Sequence, residues 1–349
     1  MPASFLSLHV HSFFPAHAAV GGAVMGAAGI AHTALSGQPL GVSGTADGLV
    51  RGRGSELHRW LFLLGLFASG VTMAQLYPAS ISPMELAPWR EAVGGFAVGL
   101  GSALAHGCTA GHGISGNARF SPRSAFFTLV ALVAGCIVAT ATRSADAVRM
   151  QHAPFPKASD ALTLAAQLLG AHCAGYVAVV ALSRGGVLEG ASALSALSPL
   201  DGSLFGCGLA LAGGTSPARV AQFLDLSRRA WNPTLACAAA GALAVLVPFN
   251  HLAVLNGWVR RPVLRGLTLE VPTETAVDRK LVLGGAVFGA GYGLSGLSPG
   301  SALVLVGSPY GPPLVFLAAM FAGFITADSS TLNTWIKKVP APAIKESTQ

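Results

Sequence analysis

The chain has 349 residues, 52% of them hydrophobic and only 10% charged, with 44 glycines and a formal net charge of +7. Soluble domains carry about 25% charged residues and about 7% glycine, so a water-soluble enzyme domain is excluded. A disordered chain and a nucleic-acid binder are excluded with it, because the charge needed to hold a chain in water or on phosphates is missing.

A mean hydropathy of +0.60, spread over the whole length, points to an all-α polytopic membrane protein. The 21 Lys and Arg are scattered between apolar segments, as topology signals are. The five cysteines are odd in number and lack C-x-x-C spacing, which argues against a disulfide framework and against a zinc site. Met1 to Ala16 has no Lys or Arg ahead of its apolar part, so a cleaved secretory signal is not expected.

A bilayer core of roughly 30 Å takes about 20 apolar residues as a helix. That template predicts nine spans, at about 13–36, 58–78, 91–106, 123–142, 160–182, 202–212, 232–254, 280–295 and 311–331. The third, sixth and eighth are short and run directly into Gly-rich segments, as does the first. These segments are Ser36 to Gly44, His106 to Gly116, Ala212 to Arg219 and Gly291 to Gly300. Taken singly, each reads as an ordinary surface turn. Four at the ends of short or Gly-rich spans read as helices broken inside the membrane, where irregular backbone is tolerated only if buried in protein or lining a wet cavity.

With the N-terminus outside and the C-terminus in the cytoplasm, fourteen Lys and Arg fall inside. Seven fall outside: Arg90, Arg143, Arg149, Lys157, Arg219, Arg228 and Arg229. The first two broken segments then lie on the inner side and the last two on the outer. Residues 13–142 and 201–331 become two four-span halves of opposite orientation, joined by a linker with an extra span at 143–200 and followed by a polar tail at 332–349. Inverted repeats with discontinuous helices meeting near the midplane are a common transporter and channel design.

The chemistry concentrates at Cys108, between His106 and His112 and beside Thr109. Glycines there expose backbone N–H groups, and a thiol among imidazoles is polarizable and partly ionisable. Cys136, Cys173 and Cys237 read as small hydrophobes. Nucleophilic catalysis at Cys108 lacks a nearby acidic orienting residue, and metal binding lacks a second ligand cluster, so neither an enzyme nor a metal or other cofactor is expected. A membrane site with almost no carboxylates, N–H-rich loops and flanking Arg119, Arg123 and Arg219 suits an anion, although these arginines read equally as interfacial anchors.

The run Gly107-Cys108-Thr109-Ala110-Gly111-His112-Gly113-Ile114-Ser115-Gly116 with Arg119 to Ser124 resembles the signature of the YeeE/YedE sulfur-transport family. The second half, through Phe205 to Val220 and Gly289 to Gly300, is similar to that family's companion module. The resemblance implies two pseudo-symmetric halves fused in one chain, importing thiosulfate or a related sulfur-containing anion past cysteines at the loops, with Cys108 as the matching station. A cytoplasmic sulfur-carrier protein is the implied partner beyond the lipid bilayer. The chain departs from the pattern at the first loop, which has Ser43 and no cysteine, and at Ser298, where many relatives carry cysteine.

The expected pathway residues are therefore Cys108, His106, Thr109, His112, Ser43, Ser115, Thr215, Ser216, Ser295 and Ser298. With hydroxyls at 43 and 298, oxyanions such as sulfate are expected to compete with thiosulfate, since a hydroxyl donates more strongly than a thiol. The alternative is a membrane-bound sulfur-handling enzyme or partner module that accepts a persulfide on Cys108.

Overall fold

The structure, a computed structural model, describes residues 13–52, 56–81, 86–147, 158–226, 231–270, 272 and 274–338. Arg53, Arg149, Lys157, Arg228, Arg229 and Lys345 lie outside these residues, as does the polar tail from 339 onward. Among the described residues all regular structure is helical. The first part comprises α1 (Pro15–Ser36), α2 (Val42–Val50), α3 (Leu57–Leu76), α4 (Pro88–Ala105), a π-helical turn (Thr109–Gly116) with a 3₁₀ turn (Asn117–Arg119), α5 (Pro122–Ala141) and α6 (Ser144–Ala147). There follow α7 (Ala158–Arg184), α8 (Ala191–Leu211), α9 (Pro217–Leu224), α10 (Thr234–Pro248) continued by π-helical turns (Phe249–Leu255), α11 (Arg279–Ser295), α12 (Pro299–Leu305), α13 (Leu314–Thr326) and α14 (Ser330–Lys338).

Seven of these are long and apolar enough to cross a bilayer: α1, α3, α5, α7, α8, α10 with its extension, and α11 joined to α12. Helix α4 and the turns after it, bent by 47°, make an eighth, and α13 is a shorter apolar helix. A helix thus stands at each of the nine expected positions.

Two expectations need correction. The sixth helix starts at Ala191 and runs 21 residues, because Pro199 is accommodated inside it while the Ser198 hydroxyl donates back to the Leu194 carbonyl at 2.7 Å. The Gly-rich segments, expected to be irregular, are largely wound: α2 begins at Val42 and residues 109–116 close π-type turns. Backbone in an apolar interior must satisfy its own N–H and C=O groups, and winding does so even in a glycine-rich stretch.

Helix α1 packs on α8 and α10, α3 on α8, α4 on α11 and α13, and α5 on α11. Exchanging α1 with α8, α3 with α10, α4 with α11 and α5 with α13 carries this set of contacts onto itself. The short helices follow the same exchange: α12 touches α3 as the 109–116 turn touches α10, and α2 touches α13 as α9 touches α5. Helix α7 lies at the edge, against α1 and α8.

Glycines set these approaches, as expected where lipid offers no hydrophobic drive and close van der Waals packing does the work. A Cβ on Gly99 of α4 would collide with the Met320 carbonyl of α13, and one on Gly289 of α11 with the Ala131 carbonyl of α5. Outward, Leu64, Leu129, Ile137 and Val177 stand exposed, a surface suited to lipid. The segment before α11 lies across the end of α1, where the Val263, Leu264 and Glu270 N–H groups donate to the Ala34, Leu35 and Gly37 carbonyls.

Candidate functional site

Helix α4 ends at His106, whose left-handed backbone (φ 58°) turns the chain and leaves the imidazole exposed. Cys108 follows in extended conformation, buried, at the start of the π-helical turn. Gly107 is required here, since a Cβ would strike the His112 ring. His112 anchors the turn. Its Nε2 lies 3.1 Å from the Ala105 carbonyl and its Nδ1 3.0 Å from the Ser124 hydroxyl, so a neutral ring donates from Nε2 and accepts at Nδ1. The ring also packs on Phe127 at 4.4 Å. With both nitrogens hydrogen-bonded, His112 supports the loop and lies outside the cavity lining.

A cavity of about 490 Å³ opens beside Cys108. It brings together Cys108 and Thr109 from the second Gly-rich segment, Gly214 from the third, and Tyr292, Ser298 and Gly300 from the fourth, against apolar walls that include Phe127, Phe205 and Leu243. The third and fourth segments also touch directly, the Gly296 backbone lying against Pro217. Near the first segment, Val42 reaches toward Gly300, but Ser43 lies outside the cavity lining.

The polar groups at the cavity fall into two kinds. Ser298 is committed: with Ser301 it forms a reciprocal cap at the start of α12, its Oγ accepting from the Ser301 N–H at 3.3 Å while its own N–H donates to the Ser301 hydroxyl at 2.8 Å. The Cys108 thiol and the Thr109 and Tyr292 hydroxyls make no hydrogen bond among the described residues and line an otherwise apolar space. The N-terminus of the 109–116 turn borders the same space, and unpaired N–H groups in the first turn of a helix favour negative charge.

The remaining expected pathway residues are placed elsewhere. Thr215 donates to the Ser80 carbonyl at 2.8 Å and Ser295 to the Gly291 carbonyl at 2.8 Å, so both tie backbone together. Ser43, Ser115 and Ser216 are buried outside the cavity lining. Among the described residues no three His, Cys, Asp or Glu side chains gather as metal ligands.

Of the arginines, Arg119 is half-buried, and Arg219 is buried with its guanidinium against Gly213, near the stacked His17 and Tyr77 rings. Arg123 is engaged in holding the segment before α11: it donates to the Ala276 carbonyl at 2.7 Å and lies 3.6 Å from Glu274 and 3.7 Å from Asp278. Arg123→Ala is therefore expected to expose the 274–278 segment to protease about tenfold faster, the loss of a charge-assisted hydrogen bond being about 1.5–3 kcal/mol. Limited proteolysis in detergent checks this, and unchanged cleavage would return Arg123 to the role of an anion attractor.

Sequence reasoning missed Tyr292, which was visible only as one letter in a Gly-rich run. It also missed the contact of Asp201 with His32 and Tyr176, made across three helices.

The family described as "Family of unknown function (DUF6691)" matches residues 194–333. A "Probable transporter" of Xylella fastidiosa (strain 9a5c) is 42% identical over 127 residues, 36% of this chain and 84% of that relative. A "Probable transporter" of strain Temecula1 / ATCC 700964 is 41% identical over 127 residues, 36% of this chain and 83% of the relative. A second "Probable transporter" of strain 9a5c is 39% identical over 80 residues, 23% of this chain and 59% of its own length. No solved structure matches the chain.

Proposed function

We propose that this chain, which belongs to the family of the Xylella fastidiosa probable transporters, carries a small sulfur-containing inorganic anion of the thiosulfate kind across a membrane. The observation that carries the reading is the cavity beside Cys108, where a free thiol and the Thr109 hydroxyl at the start of the 109–116 turn meet the free Tyr292 hydroxyl from the last turn of α11 inside apolar walls. A thiol contacts soft sulfur well, and N-terminal N–H groups and hydroxyls replace part of the water around an anion's oxygens. With few donors and many apolar atoms, the cavity favours thiosulfate, whose charge is partly carried on a large soft sulfur, over sulfate, whose charge sits on four strongly hydrated oxygens.

This changes the substrate expectation drawn from Ser298. Its hydroxyl is held in the α12 cap, so selection falls to Cys108 and the apolar walls. Excess unlabelled thiosulfate is expected to abolish uptake of labelled thiosulfate into proteoliposomes, while equal sulfate lowers it by less than about twofold, since a methylene-scale mismatch alone is worth about tenfold or more. Equal competition by the two would overturn the sulfur preference.

The same reading takes the chain as two YeeE/YedE-like modules, 13–142 and 201–331, in inverted orientation. Two observations support it. The helix contacts exchange between the halves, and the first relative is less than half as long as this chain, because 127 residues are 84% of it but 36% of the chain. The orientation places the N-terminus outside. Single cysteines at positions 261 and 149 are then expected to react with an impermeant reagent from opposite sides of the membrane. Reaction of both from one side would refute the nine-span inverted arrangement.

A further inference from the structure

Asp201 lies midway along α8, inside a membrane span, with none of its side chain exposed. Its Oδ2 is 2.7 Å from Nδ1 of His32 on α1, and its Oδ1 accepts from the Tyr176 hydroxyl of α7 at 2.9 Å. His172, one turn before Tyr176, stands near enough to act on Asp201 electrostatically. The His172 Nδ1 donates to the Leu168 carbonyl at 2.7 Å. On α3, His58 feels the charge of His32 and lies 3.7 Å from Glu56, whose carboxylate accepts from Arg59 at 2.6 Å. Helix α12, which also packs on α8, carries no titratable side chain.

Side-chain exposure rises in order along this line, from 0% at Asp201 to 12% at His32, 24% at His58 and 39% at Glu56. The buried carboxylate is thus hydrogen-bonded to an imidazole that itself reaches the molecular surface. A buried ion pair gives little net stability over well-packed apolar residues, and membrane-embedded Asp and His in series are the usual substance of proton relays. Their place in the fold connects them to the anion cavity. Phe205, one turn along α8 from Asp201, and Met25, two turns along α1 from His32, both line it, so these two helices carry the cavity wall and the pair together.

We infer that His32 and Asp201 form a proton-binding pair that couples anion passage to proton movement, an inference that rests on the transporter reading above. In the loaded state a proton from water sits on His32 Nε2, and the imidazolium donates from Nδ1–H to the Asp201 carboxylate. On release that Nε2 proton leaves from His32, whose side chain is 12% exposed, to water. This leaves a neutral imidazole still donating from Nδ1 and a carboxylate still held by Tyr176. Only one N–H bond breaks and reforms, so charge and atoms balance at one proton per cycle.

The test uses the full chain in proteoliposomes. An inward proton gradient is expected to speed labelled thiosulfate uptake at least about tenfold in the parent, and less than about twofold in Asp201→Asn and His32→Gln, as for an ordinary coupling between two sites. Thiosulfate-for-thiosulfate exchange, which needs no net proton movement, should persist in both variants and shows that they are folded. Tyr176→Phe, a gentler change, should give intermediate stimulation. Nitrogen NMR of histidine-labelled protein should find, among the imidazole resonances, a titrating one that is lost in His32→Gln and shifted in Asp201→Asn. Full gradient stimulation in both variants, or a parent in which His32 does not titrate, overturns the proposal. A parent that titrates at His32 yet moves no thiosulfate under any gradient defeats the anion reading instead, and leaves the proton site established by the NMR titration.

Discussion

Cys108→Ala is expected to lower anion uptake at least about tenfold while leaving membrane insertion and monodispersity intact. The thiol is buried at the cavity, beside Thr109 and close to Tyr292, and it makes no hydrogen bond among the described residues. On the proposed reading, deleting it removes a contact that the anion makes with the protein at this cavity. A loss of order 1–2 kcal/mol there corresponds to roughly a tenfold change in rate. Alanine fills most of the thiol's volume, so little packing is lost. Cys136, outside the cavity lining on α5, is the control, and Cys136→Ala should leave uptake unchanged. Uptake assayed at matched protein per vesicle decides between them, and equal rates for Cys108→Ala and the parent would end the role assigned to the thiol.

Gly99→Leu and Gly289→Leu are each expected to abolish recovery of folded protein. Both glycines sit where one helix crosses another so closely that even a methyl group overlaps a backbone carbonyl, at Met320 and Ala131 respectively. The obstruction is backbone and cannot rotate aside, so the helices must separate along their length. The cost exceeds the 1–3 kcal/mol typical of overpacked soluble cores. Because the two crossings, α4 on α13 and α11 on α5, correspond under the exchange of the two halves, the two variants should fail alike. Size-exclusion profiles in mild detergent are the readout. A monodisperse peak for either variant would mean that the helices are farther apart than the structure has them.

Much of the architecture was legible because apolar runs and their interruptions report directly on a bilayer. The nine expected positions each hold a helix, and the breaks fall at the Gly-rich segments. Cys108 and Thr109 could be found from composition alone, as polar groups among glycines with no packing use. What could not be read was whatever depends on distant partners. His112 looks like a ligand until Ser124 and the Ala105 carbonyl occupy its two nitrogens. Arg123 looks like an anion attractor until Glu274, Asp278 and the Ala276 carbonyl, about 150 positions away, claim it. Ser298 looks free until Ser301 caps with it. Asp201 escaped notice because Pro199 and the serines before it read as linker, although the helix carries through them.

Transport and sulfur-accepting chemistry at Cys108 predict different fates for the same label, and one experiment separates them. Sealed proteoliposomes holding the full chain are incubated with thiosulfate labelled at its outer sulfur, filtered, and then opened with detergent. The transporter account predicts label in the lumen, released by detergent as free anion, dependent on Cys108 and absent from the denatured protein. Label retained covalently on Cys108, with none accumulating in the lumen, would contradict it.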